Sequence, residues 1–189
     1  MSPDGSFAMS PRPRIVIYTL GRFEVVLDGA PLRFKGRAPV RALELLSALI
    51  AAGGRGVSVA SLSDSLWPEA DGFDAYRAFT TTLHRLRRLL QCPEAVRLCA
   101  GRLTLDAQLC RVDLWEFERT LRAARDTAAL HDALNLYHGP FMGDDPSPWS
   151  ISMRARLEKL VAGARSRFAG PPARPPNLLS GGLEFAAFA

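Results

Sequence analysis

Lysine is almost absent from this chain: all but two of its 24 basic residues, Lys35 and Lys159, are arginine. Cysteine is also scarce. Cys92, Cys99 and Cys110 are too few for a four-ligand zinc site and match no zinc spacing, and His84, His131 and His138 do not cluster with them. No metal is therefore implied. An odd cysteine count without a secretory signal points to free thiols in a reducing compartment. No apolar run reaches the roughly eighteen residues of a membrane span. There is no Gly-rich phosphate loop of the Walker type, and no nucleophile–base arrangement is visible. These absences argue against a membrane protein, a disulfide-stapled secreted domain and an ATP-driven enzyme. They predict a cytoplasmic, non-enzymatic protein with no cofactor. Residues 1–13 lack a hydrophobic signal core and are expected to form a disordered leader.

What is present is a globular composition. The 189 residues are 48% hydrophobic and 23% charged, enough for one domain with a sizeable core and a small second one. The net charge is +5 and the isoelectric point about 9.6. Arginine serves bidentate phosphate and guanine contacts better than lysine does. A GC-rich genome would also raise Arg, Ala, Gly and Pro together, so the placement of the arginines carries more information than their number.

That placement is clearest between Asp74 and Leu90 (DAYRAFTTTLHRLRRLL). Tyr76, Phe79, Leu83, Leu86 and Leu90 recur at three- and four-residue steps and predict one buried helix face. The opposite face carries Arg77, Thr81, His84, Arg85 and Arg88, a cationic, donor-rich surface suited to a DNA major groove. A solvated basic face on an ordinary amphipathic helix is the alternative. Arg87 lies nearer the buried side, where it would pair with an acid or lie along the core edge.

The flanking sequence gives this helix a context. Arg14–Leu20 and Phe23–Leu27 read as strands, Asp28-Gly29 as a tight turn, and 30–34 as a short returning strand. Pro39 opens a helix with Ala42, Leu46, Leu49 and Ile50 inward, widened by Leu43 and Leu45, and Gly53-Gly54 ends it. Ser58 is a plausible N-cap for a helix over 59–67 that Pro68 stops. The loop Glu69 to Phe73 leads into the arginine-bearing helix. Val96–Cys99 and Arg102–Leu105 alternate around Ala100-Gly101, which predicts a hairpin with Val96, Leu98, Leu103 and Leu105 inward and Arg97, Arg102 and Thr104 outward. Beyond Val112, three helices are expected: one over 112–125, one marked by Leu130, Leu134 and Tyr137, and one over 151–168 with Met153, Leu157, Leu160 and Val161 apolar. The tail over 170–189 is punctuated by Pro and Gly and is expected to be unstructured. Trp67, Trp115 and Trp149 are expected to anchor a core or an interface. Asp144-Asp145 suits a cap better than a catalytic pair.

A helix, a loop, a second basic helix and a hairpin, in that order, describe a winged helix-turn-helix. Several segments, LGRFEVVLDGAPLRF, RALELLSALIAAGGRGVS, LSDSLWPEADGFDA, LHRLRRLL and GRLTLD, resemble the OmpR-type DNA-binding domain of antibiotic regulatory protein (SARP) type activators. VDLWEFE and LYHGPFMGDDPSPWSISMRARLEKL resemble the start of the bacterial transcriptional activator domain that follows it. The resemblance covers roughly residues 14–168. It implies an α+β winged helix-turn-helix (N-terminal antiparallel sheet, three helices, C-terminal hairpin wing) over 14–108. An all-α, repeat-like helical segment over 109–169 follows, shorter than the family's usual activator domain.

The resemblance implies sequence-specific binding of double-stranded DNA and regulation of transcription, with activation through RNA polymerase. The family often acts as a homodimer on direct repeats. Arg77, Thr81, His84, Arg85 and Arg88 are the implied groove contacts, with Thr81 and Arg85 nearest the bases and Arg88 on phosphate. Arg97 or Arg102 of the wing would reach the minor groove or flanking phosphates, unless the hairpin simply completes the sheet. Glu69, Asp71 and Phe73 in the interhelical loop are the implied polymerase contacts, unless the loop is a plain connector. The competing class is a protein-interaction module, or a truncated regulator that no longer binds DNA productively.

Overall fold

The computed structural model describes residues 13–34 and 36–168. The leader expected over 1–13, apart from Pro13, and the tail expected over 170–189 lie outside the described residues.

The chain opens with an antiparallel meander: β1 (Ile15–Tyr18), β2 (Glu24–Leu27) and β3 (Ala30–Pro31). Alternation places Ile15 and Ile17 in the core. The turn from β2 to β3 has positive φ at both Asp28 (47°) and Gly29 (87°), as a tight two-residue hairpin requires. The third strand is only two residues long, shorter than the 30–34 expected.

Three helices follow. In α1 (Val40–Ala51), Leu45, Leu46, Leu49 and Ile50 are completely buried, so the helix is covered on more than one side. It packs on α2 and α3, on the later hairpin, and on the last helix of the chain. The short strand β4 (Val57–Ser58) leads into α2 (Val59–Leu66), whose N-cap is Ser58. Then comes α3 (Gly72–Leu89), the longest helix of this half. A one-turn 3-10 segment at Pro93–Ala95 carries the chain into the hairpin β5 (Val96–Cys99) and β6 (Arg102–Leu105). Its turn again has positive φ at both residues, Ala100 and Gly101. Strand β4 pairs with β6, giving a three-stranded sheet in the order β4-β6-β5.

Strand β7 (Cys110–Val112) was not expected from the sequence, which put Val112 in the helix over 112–125. It runs parallel to β1 and makes the first sheet four-stranded, in the order β3-β2-β1-β7. The chain then forms α4 (Asp113–Ala123), α5 (Thr127–Asn135) and α6 (Pro148–Phe168). The last helix begins three residues earlier than expected. Met153, Leu157 and Val161 turn inward, whereas Leu160 is exposed.

The helical segment is sewn to the first sheet. The Asp113 carboxylate, in the first turn of α4, accepts hydrogen bonds from the backbone N–H of Thr19 (2.8 and 2.9 Å) and of Leu20 (3.0 Å) and from the Thr19 hydroxyl (2.7 Å). Arg154 of α6 donates to the carbonyls of Phe141, Gly143 and Asp145 and so fixes the loop before its own helix. Asp145 accepts from the hydroxyls of Ser147 and Ser150 and so ties the loop to the first turn of α6, without a bond to the helix's backbone N–H groups among the described residues. The Trp115 ring lies over Gly54, where a Cβ would fall 2.2 Å from a ring carbon. Buried side chains from Ile15 to Ala164 form a single cluster that runs through both halves.

Candidate nucleic-acid interface

Helix α3 is held by its apolar stripe against α1 and α2. The stripe consists of Ala75, Phe79, Leu83 and Leu86, with Thr82 beside them and Leu90 at the C-cap. Tyr76, expected on this face, is 55% exposed, because the stripe enters the core through Ala75. The Tyr76 ring leans on Phe79 instead, with centroids 6.4 Å apart.

The opposite face is open. Arg77, Thr81, His84, Arg85 and Arg88 are all exposed, so the structure brings the five helix residues singled out from the sequence onto one surface. Their freedom differs. Arg77 reaches Asp74 at 4.0 Å and lies over the Phe73 ring, 5.8 Å from its centroid. Thr81, His84, Arg85 and Arg88 make no side-chain hydrogen bond or ion pair among the described residues. Several arginines elsewhere are engaged, Arg14 with Asp28, Arg22 with Glu24, Arg41 with Glu44, and Arg122 and Arg156 with Glu118, while Arg33, Arg37, Arg55, Arg119 and Arg165 are exposed without such a partner among the described residues. Arg87 donates to the Val96 carbonyl at 3.0 Å and ties α3 to the hairpin, in line with its expected place at the core edge. Arg87 and Arg88 also sit in the last turn of α3, where positive charge complements the helix dipole.

The two hairpin arginines are held differently from those on α3. Arg97 pairs with Asp106 at 3.1 Å, and Arg102 donates to the Gly56 carbonyl at 2.8 Å. Both remain exposed, but their guanidinium groups are directed at the protein's own hairpin and its neighbours. Leu98, expected inward, is 39% exposed near the hairpin turn, while Val96, Leu103 and Leu105 are buried. Thr104, expected outward, is half-buried and accepts from the Gly56 N–H.

The segment between α2 and α3 lies two residues earlier than the Glu69–Phe73 expected from the sequence. Asp71 is the N-cap of α3, its carboxylate accepting from the Asp74 N–H at 2.9 Å, so the loop spans 67–71. Glu69 and Asp71 stay in that loop, both exposed, but Phe73 belongs to the first turn of the helix. Phe73 is 71% exposed, an uncommon position for a phenylalanine. The spacing Asp71-x-x-Asp74, an N-cap followed three residues later by an acid, is the sequence signal that would have placed the helix start there.

The remaining candidates are structural. Trp67, Trp115 and Trp149 are half-buried against the core. Among the described residues no group of three or more His, Cys, Asp or Glu side chains is placed to hold a metal ion, and no helix is long and apolar enough to cross a membrane. Cys92 and Cys110 are buried, and burial pushes the Cys110 thiol up to about 12. Cys99, beside the hairpin turn, is exposed.

The fold is similar to that of a solved structure, Mycobacterium tuberculosis EmbR in complex with a low affinity phosphopeptide, with a TM-score of 0.60 and 22% sequence identity. The match covers 81% of this chain and 44% of the EmbR chain, so the protein spans less than half the length of that neighbour. At this identity the likeness establishes a shared mixed α/β fold. No protein-family model and no curated protein matches the chain.

Proposed function

We propose that the protein is a sequence-specific double-stranded DNA-binding regulator of transcription of the SARP type, built on an OmpR-type winged helix-turn-helix. In this reading α1, α2 and α3 form the helical core, α3 is the recognition helix, and β5–β6 is the wing. The observation that carries it is the exposed face of α3, where Thr81, His84, Arg85 and Arg88 lie side by side on one helix without hydrogen-bond or ion-pair partners among the described residues. Exposed cationic side chains that neutralise nothing of the protein's own, as Arg85 and Arg88 are, can meet phosphates and base edges. The likeness in fold to EmbR supports the same class.

Arg85 and Thr81, at the centre of this face, are the base-reading candidates, and Arg88, one turn on, grips phosphate. Arg97 and Arg102 join the interface by exchanging their present partners for DNA phosphates. Arg97 is exposed, while Asp106 is largely covered and keeps the Gln108 N–H as a partner when Arg97 turns to DNA. The short acidic loop with Glu69 and Asp71 is the surface offered to RNA polymerase, and the family's habit of dimerising on direct repeats extends to this chain as part of the proposal.

The test is enrichment from randomised duplex DNA. The wild-type chain is expected to select a defined sequence, and Arg85→Glu to lose that selection while keeping the wild-type circular dichroism spectrum. Selection that survives Arg85→Glu would mean that the reading face lies elsewhere. Absence of any enrichment, with a protein partner retained by the helical half, would favour the protein-interaction module.

A further inference from the structure

The exposed face of α3 does not begin with a charge. Phe73, Arg77 and Thr81 follow one another at four-residue steps, and Arg85 and Arg88 extend the row, so Phe73 stands at the N-terminal end of the same ridge. It is among the most exposed large apolar side chains in the protein. Its neighbours on the ridge are hydrogen-bond donors, and the aromatic beside it, Tyr76, is 55% exposed but leans on Phe79, so the exposed apolar surface here is limited to these rings. The Arg77 guanidinium lies over the Phe73 ring, 5.8 Å from the centroid, so ring and guanidinium form one unit.

In a major groove the N-terminal part of a recognition helix approaches the base edges. The apolar feature there is the thymine C5-methyl group, while every other readable group donates or accepts a hydrogen bond. A phenylalanine at this position has one kind of partner in the groove. We infer that Phe73 reads a thymine methyl group, beside the base contacted by Arg77. The inference rests on the proposal that α3 lies in the groove, and assigns Phe73 to DNA where the sequence alone suggested a polymerase-facing loop. The stacked guanidinium makes the two contacts interdependent: the ring holds Arg77 over the neighbouring base, and the methyl group covers the ring's free edge.

The experiment uses the full chain and the DNA sequence it enriches. Each thymine is replaced in turn by deoxyuridine, which removes the methyl group and nothing else, and binding is measured for wild type, Phe73→Ala and Phe73→Leu. One thymine is expected to lose about fourfold in wild-type affinity on this change, the value for burying a single methyl group. Phe73→Ala is expected to bind the thymine duplex more weakly and to be indifferent to uracil at that site. Phe73→Leu, still apolar, is expected to keep the uracil sensitivity but to discriminate less at the adjacent base. Enrichment with no uracil-sensitive thymine, or a Phe73→Ala variant that keeps the sensitivity, would overturn the inference and leave DNA binding standing. Phe73→Ala that binds DNA normally but activates transcription poorly would assign the ring to polymerase instead. Failure to enrich any sequence would refute the DNA-binding reading and this inference together.

Discussion

Replacing Asp113 by alanine should damage the junction between the first sheet and the helical half more than its single position suggests. Thr19 and Leu20 are essentially buried, and the backbone N–H of each has the Asp113 carboxylate as its partner at 2.8–3.0 Å. Leaving a buried donor unsatisfied costs about 1–3 kcal/mol. The Thr19 hydroxyl can rotate toward another acceptor, so it is not counted, and the two N–H groups together predict a loss of about 2–6 kcal/mol. That is a large share of the roughly 5–15 kcal/mol by which domains are stable. Asp113→Asn keeps one carbonyl oxygen for Thr19 while losing the charge, and should cost less, about 1–2 kcal/mol. Urea unfolding of the wild type and both variants, followed by circular dichroism, gives both values. A change under about 0.5 kcal/mol for Asp113→Ala, or an equal loss for Asn and Ala, would refute the argument that these hydrogen bonds hold the junction.

Four further outcomes are expected. Gly54→Ala places a Cβ 2.2 Å from a Trp115 ring carbon at a φ of +71°, and should lower stability by about 2–4 kcal/mol in thermal unfolding, with a shift in tryptophan fluorescence; a wild-type melting temperature would contradict the packing. Asp71→Ala removes the N-cap of α3 and should cost about 1 kcal/mol, seen as lower urea resistance, whereas no change would mean that the cap is idle. A thiol reagent should modify Cys99 quickly in the folded protein and Cys92 and Cys110 only after unfolding. Because burial holds the Cys110 thiol near 12, between about pH 9 and that value the unfolded chain gives up a proton that the folded chain keeps. Stability must therefore fall as pH rises through this window, and Cys110→Ala should flatten that slope.

Much of this structure is local and was legible in the residues. The Asp28-Gly29 and Ala100-Gly101 turns follow from residues that tolerate positive φ, and the stripes of α1 and α3 follow from helical periodicity. The misplacements share a cause: periodicity names a face but not where its partner ends. Tyr76 fits the apolar spacing of α3, yet the core closes on Ala75, and Leu98 fits the strand alternation, yet it lies beyond the helices that cover Leu103 and Leu105. Strand β7 escapes for another reason, since three residues gain strand character only from β1, nearly a hundred positions away in the chain. The exposed face of α3 was legible because charge and spacing coincide there. Whether an arginine is free or paired was not, because Arg97 meets Asp106 and Arg102 meets Gly56 only through the folded hairpin.

The central claim is that the open face of α3 grips DNA, and salt dependence tests it most directly. Anisotropy binding of the enriched duplex across a salt series should give a log–log slope of about −4 to −5, as four to six phosphate contacts require. Arg88→Ala should make that slope shallower by about one and weaken binding to all sequences alike. A flat, weak salt response in the wild type, or a slope that Arg88→Ala leaves unchanged, would mean that the arginines of α3 face solvent and not DNA.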